Sequence, residues 1–133
     1  MEIKLLAVHP VLCASDPTAS ARFFAQLGFS VVFQDRDAEP RYIGIARDGV
    51  ELHLQWSVAP AQWTGDRPVY RFLVSDVDAL YRAVASSGVF TQENNGRSPW
   101  AQPANTPWGT REFHLRDPDG NGLQFYQANA DTG

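Results

Sequence analysis

Three histidines, His9, His53 and His114, and a modest set of carboxylates define most of the chemistry open to this chain. Imidazole and carboxylate are the groups that bind divalent metals or move protons near neutral pH. Glu51 and His53 are two positions apart, so on an extended segment they project from one face with Gln55, while Leu52 and Leu54 project from the other. His114 alternates with Glu112 and Arg116 and reads as a polar-face residue without a ligand role. Asp117 and Asp119 flank Pro118 ahead of Gly120, which is turn chemistry, and Asp76 and Asp78 fit the start of a helix. The single cysteine, Cys13, sits in an apolar run without an activating partner and reads as a buried bystander. The sequence has no glycine-rich phosphate loop, Gly-x-Ser-x-Gly elbow, His-Glu-x-x-His helix or Cys-x-x-Cys pair. It identifies no catalytic residue.

The aromatic residues carry more information. Trp63, Trp100 and Trp108 fall in predicted loops or just before a predicted strand, where a large ring needs a ligand or a partner subunit to cover it. A net charge of −4 disfavours a nucleic-acid partner, which calls for a basic stripe. No apolar run reaches the ~20 residues of a membrane span, and Met1-Glu2-Ile3-Lys4 does not open a signal peptide. These features predict a cytoplasmic protein with no membrane partner, and 133 residues suit one domain.

The elements that would position these groups come in two matching sets. A strand is predicted within Leu5 to Ser15, then a helix capped by Asp16 with Pro17 in its first turn, Phe23, Phe24 and Leu27 on its apolar stripe, and Gly28 at its end. Strands follow at Phe29 to Asp35, Arg41 to Arg47 and Val50 to Trp56, with Asp48-Gly49 as a tight hairpin turn. Strand parity puts Trp56 with Leu52 and Leu54, toward the core. After a loop from Ser57 to Pro68 the pattern restarts: a strand from Val69 to Ser75, a helix from Asp76 to Gly88, and a weakly marked strand near Val89. A polar stretch from Gln92 to Pro107 leads to strands at Arg111 to Arg116 and Gly122 to Gln127, joined by the Asp117 to Asn121 turn. Ser15-Asp16 and Gly28 recur as Ser75-Asp76 and Gly88, 60 positions on (75 − 15, 88 − 28). Asp48-Gly49 and Leu52 recur as Asp119-Gly120 and Leu123, 71 positions on (119 − 48, 123 − 52). The chain therefore reads as α+β: two tandem βαβββ modules, about 5–56 and 69–127, in one domain, forming a cupped mixed sheet with helices on its outer face.

His9-Pro10-Val11-Leu12 leading to Asp16, Phe23-Phe24 with Leu27-Gly28-Phe29, Asp76-Val77-Asp78-Ala79-Leu80, and Arg111-Glu112-Phe113 through Asp117-Pro118-Asp119-Gly120-Asn121 resemble the vicinal oxygen chelate superfamily. This superfamily comprises glyoxalases, bleomycin-resistance proteins and extradiol dioxygenases. Trp108-Gly109-Thr110, and Phe33 followed by Asp35-Arg36-Asp37, look more like the bleomycin-resistance proteins than the metalloenzymes. The resemblance implies four cup-facing positions where metalloenzyme members place metal ligands, and the two repeat offsets put His9 opposite Val69 and His53 opposite Gln124. Valine cannot coordinate and glutamine offers only a neutral oxygen, so the expectation is no metal and no cofactor.

The resemblance and the loop aromatics together lead to a metal-independent binding protein that sequesters a bulky planar ligand, such as a bleomycin-like antibiotic. Phe33, Tyr42, Trp63, Trp100, Trp108 and Tyr126 are the candidate lining rings, and His9, Glu51, His53, Arg71 and Gln124 the candidate polar contacts. Asp35, Glu51 and the negative field would favour a cation, whereas Arg71 would oppose one. The alternative is a glyoxalase-like lyase, isomerase or dioxygenase with a metal on His9 and His53. Superfamily members with two modules per chain imply a homodimer whose cups are shared between subunits.

Overall fold

The computed structural model describes residues 2–57 and 67–129. Two modules of like topology follow one another. The first comprises β1 (Val11–Ala14), α1 (Pro17–Gln26), β2 (Ser30–Gln34), β3 (Tyr42–Arg47) and β4 (Val50–Trp56). The second comprises β5 (Val69–Leu73), α2 (Val77–Ala85), β6 (Ala104–Asn105), β7 (Thr110–Arg116) and β8 (Gly122–Ala128). Each module forms its own four-stranded mixed sheet, ordered β1-β4-β3-β2 and β5-β8-β7-β6. The predicted cupped sheet is thus carried by two separate sheets.

Local sequence explains the elements. Asp16 and Asp76 both cap their helices, each accepting from the backbone N–H three residues on, at Ala19 and Ala79. Gly28 and Gly88 follow the helices at φ +91° and +80°, the left-handed region where a Cβ is costly. Asp48 and Gly49 both have positive φ, as a two-residue hairpin between Arg47 and Val50 requires. Alternation sends Leu12, Ile43, Ile45, Leu52 and Leu54 of the first sheet, and Phe113, Leu115, Leu123 and Phe125 of the second, into the apolar core.

The ladders reproduce the sequence repeat. β1 runs parallel to β4 with Val11 opposite His53, and β5 runs parallel to β8 with Arg71 opposite Gln124. Those pairs differ by the same 60 and 71 positions (71 − 11, 124 − 53), so His53 and Gln124 occupy equivalent places on equivalent faces. Four expectations need correction. The first strand spans only Val11–Ala14: the Pro10 carbonyl still accepts from the His53 N–H, but Pro10 has no N–H with which to extend the ladder, and residues 2–10 form no strand. No strand forms near Val89, where Asn94 caps the Val89 carbonyl and pairs with Thr91, turning the chain; the short edge strand lies at Ala104–Asn105 instead. Trp56 is 46% exposed at the end of β4, with the Arg41 guanidinium 4.9 Å above its ring. Cys13 is only partly buried.

The modules are joined by the Asp117–Asn121 turn. Asp119 accepts from the Ser15 backbone N–H and from the Ser20 hydroxyl, and Asn121 donates to the Cys13 carbonyl. The corresponding joint, where the Asp48 turn faces the start of α2, opens into a cavity of about 620 Å³ bordered by Leu27, Phe29, Val50, Phe72 and Leu80. Among the described residues no helix is long and apolar enough to cross a membrane.

Asp117 lies at the base of the closed joint, accepting from the backbone N–H groups of Asp119 and Asn121 and from the Asn121 side chain. Burial pushes its carboxyl up to about 6, against the pull of the Asn121 hydrogen bonds. A raised folded-state value means that its contribution is fully present below the ordinary carboxylate range, near 4, and is lost as pH rises through about 6. Urea denaturation between pH 4 and 7 is therefore expected to show wild type losing up to about 3 kcal/mol relative to Asp117→Asn. Parallel profiles for the two proteins would contradict this account.

Candidate functional site

Both sheets turn one face to the helices and leave the other free of them, and the candidate residues gather on these free faces as two clusters. The first centres on His53. Its Nε2 lies 2.7 Å from Glu51 Oε2 and its Nδ1 lies 2.7 Å from the Tyr42 hydroxyl. The His53 hydrogen bond, opposed by partial desolvation and aided by nearby His9, holds the Glu51 carboxyl below the usual range. An ionised carboxylate only accepts, so Nε2 carries a proton toward Glu51, and Nδ1 shares the second hydrogen bond with the Tyr42 hydroxyl. His9 completes the group, its ring 4.9 Å from that of His53 and its Nδ1 3.7 Å from Glu51 Oε2. Phe33 stacks on Tyr42 at 6.1 Å and meets His53 edge-on at 5.2 Å. It reaches them because position 44 is glycine: a Cβ there would stand 2.1 Å from the Phe33 ring.

The second cluster is organised by a residue that was not among the candidates read from the sequence. Glu112 is fully buried on β7 and its carboxylate gathers five donors. Arg71 grips it with both terminal nitrogens at 3.1 Å, the Trp108 indole donates at 3.1 Å, and the Thr110 hydroxyl and His114 Nε2 lie at 2.5 Å. Burial alone would push the Glu112 carboxyl up, but the bonds from Arg71, Thr110, His114 and Trp108 outweigh it and bring it down to about 2. Arg71 also donates to Gln124 at 2.6 Å and lies over the Tyr126 ring at 4.2 Å. Trp100 leans on Trp108 and on His114, with ring centres 5.3 Å apart in each case. The result is a continuous aromatic wall fixed from beneath by one carboxylate.

The structure thus gathers His9, Phe33, Tyr42, Glu51 and His53 on one sheet, and Arg71, Trp100, Trp108, Gln124 and Tyr126 on the other. Trp63 lies outside the described residues. His114, read from the sequence as a polar-face residue without a ligand role, packs against Trp100. The available signal was the period-two run Thr110, Glu112, His114, which places all three on the face opposite Phe113 and Leu115. Asp35, expected to attract cations, accepts from the backbone N–H groups of Arg41 and Tyr42. His9, Glu51 and His53 present donor atoms within 4.8 Å of one another, a grouping able to hold a metal ion. In the second cluster the equivalent positions are Val69 and Gln124, and the Gln124 oxygen is engaged by Arg71.

The family model for the glyoxalase/bleomycin resistance protein/dioxygenase superfamily matches residues 6–125. A bleomycin resistance protein of Geobacillus stearothermophilus is 25% identical over 140 residues, covering 92% of this chain and 97% of the relative. A bleomycin-binding protein solved in complex with bleomycin superposes with a TM-score of 0.71 at 26% identity, covering 94% of this chain and all of the other. The bleomycin-binding protein of bleomycin-producing Streptomyces verticillus, solved with copper(II)-bleomycin, gives 0.66 at 30% identity, covering 96% and 99%.

The Phe33 packing yields a direct test. Gly44→Ala must displace the Phe33 ring from Tyr42 and His53, and the resulting overpacking is expected to cost about 1–3 kcal/mol by chemical denaturation. An unchanged midpoint would show that the ring moves aside freely.

Proposed function

Because the chain belongs to the glyoxalase/bleomycin resistance protein/dioxygenase superfamily, we propose that it acts by stoichiometric capture of a bulky planar ligand of the bleomycin class, without turnover. The observation that carries this reading is the Trp100–Trp108–His114 wall, braced by Glu112 on a free sheet face. Rigid aromatic surface gives stacking energy at little entropic cost. The likeness to relatives named for bleomycin resistance and to structures holding bleomycin supports the ligand class.

The working unit proposed is a cytoplasmic homodimer in which each cup combines the His53 cluster of one subunit with the Trp108 wall of the other. Its physical motive is uncovered apolar surface. Ile3, Leu5, Leu6 and Val8 are each at least 87% exposed, and Val31, Phe33, Val69 and Leu73 are also exposed large apolar residues. Apolar exposure on this scale is ordinarily covered by a partner. Sedimentation at micromolar concentration is expected to show a dimer, and a monomer would remove the shared cup.

Bleomycin binding is expected to quench tryptophan fluorescence, saturate at one ligand per cup and return intact ligand by mass spectrometry. Trp100→Ala or Trp108→Ala should weaken it by about 1–3 kcal/mol. Altered ligand accumulating beyond one equivalent would indicate turnover instead.

The donor set of His9, Glu51 and His53 favours a second reading, a metal-dependent enzyme of the glyoxalase or dioxygenase type. These three residues would hold the ion, which would supply Lewis-acid chemistry; binding would require His53 Nε2 to exchange its proton and its Glu51 partner for the metal. On the capture reading, elemental analysis after exposure to zinc, nickel, manganese and iron(II) finds no stoichiometric metal, and a chelator leaves ligand binding unchanged. About one metal per chain, lost in His9→Ala and His53→Ala, would favour the enzyme.

A further inference from the structure

Arg71 projects from the free face of the second sheet and its side chain is 37% exposed, so by position alone it would act as an anion receptor in the proposed cup. Its hydrogen-bonding geometry leads elsewhere. Both terminal nitrogens are directed at the Glu112 carboxylate, one of them also at Gln124, and the guanidinium plane rests on Tyr126. A cation paired in this bidentate way on a buried carboxylate has little field left to offer a ligand. The same carboxylate fixes Trp108 and His114, and through them Trp100.

We propose that Glu112 is the positioning and charge-selecting residue of this site: by clamping Arg71 together with Trp108 and His114, it makes the wall accept neutral or cationic planar rings and disfavour anionic ones. The inference rests on the capture reading and narrows its ligand class. It also removes the conflict between Arg71 and a cationic ligand, because the positive charge is cancelled within the wall.

The test uses one ring system with two charges, 1-pyrenemethylammonium and pyrene-1-sulfonate, titrated at neutral pH with tryptophan quenching as the readout. Wild type is expected to bind the ammonium probe more tightly. Glu112→Gln keeps the side-chain shape but frees the Arg71 charge, and is expected to shift the ratio of the two affinities toward the sulfonate by about tenfold or more, an effect damped by salt. The double variant Arg71→Gln/Glu112→Gln removes both charges and should restore the wild-type ratio. Arg71→Gln alone, which leaves Glu112 uncompensated, should raise the preference for the ammonium probe and keeps the test available if Glu112→Gln does not fold. Equal weakening of both probes in Glu112→Gln, with the ratio unmoved, would mean that the residue is merely structural and would overturn the inference while leaving capture intact. A wild-type preference for the sulfonate would overturn it as well. Saturable binding of neither probe would overturn the cup itself and this inference with it.

Discussion

A carboxylate withdrawn from water must be surrounded by donors, and the second module is arranged around that requirement at Glu112. Leaving such a group unpaired costs several kcal/mol, so its neighbours are chosen by the need to satisfy it. Each donor brings a consequence beyond its hydrogen bond. The Arg71 contact neutralises a cation, the Trp108 contact orients a large ring at the surface, and the His114 contact sets an imidazole where Trp100 can lean on it. A wall assembled from loop and strand residues acquires in this way the rigidity of a single element.

The first module solves the same positional problem with a different group. In the ladders Glu112 stands opposite Tyr126 as Tyr42 stands opposite Gln55, and His114 opposite Gln124 as Gly44 opposite His53. The places of Glu112 and Tyr42 are therefore equivalent, one a carboxylate and the other a phenol, and each organises a histidine. The sites of the two modules differ because the small residue at 44 admits the Phe33 ring where the second module holds His114.

Much of the architecture could be read from local chemistry alone. Helix caps at Asp16 and Asp76, left-handed glycines at 28 and 88, and the hairpins at Asp48-Gly49 and Asp117–Asn121 are short-range signals, and their spacing carried the register of both ladders. What could not be read depends on neighbours distant in sequence. Val89 is buried like a strand residue, yet side chains five residues on satisfy its backbone and no ladder forms. Glu112 looked like an ordinary polar-face residue because its partner Arg71 is 41 residues away and Trp108 comes from a loop. His9, Phe33, Tyr42, Glu51 and His53 were among the candidates picked from the sequence; the carboxylate beneath the tryptophans was not.

The modules also differ in length. Gly28 to Asp48 spans 20 positions and Gly88 to Asp119 spans 31, so the second copy carries eleven additional residues between helix end and final hairpin (31 − 20). Trp100 and Trp108 both lie within that longer span. The added chain leaves the ladder registers intact, as the matching of Val11–His53 with Arg71–Gln124 shows. The longer connecting segment of the second module thus carries the two tryptophans while both modules keep the same ladder register. The paired sheets keep the scaffold, and residues 89–103, which belong to no strand, are the part of the longer segment whose composition can change without disturbing a strand pairing.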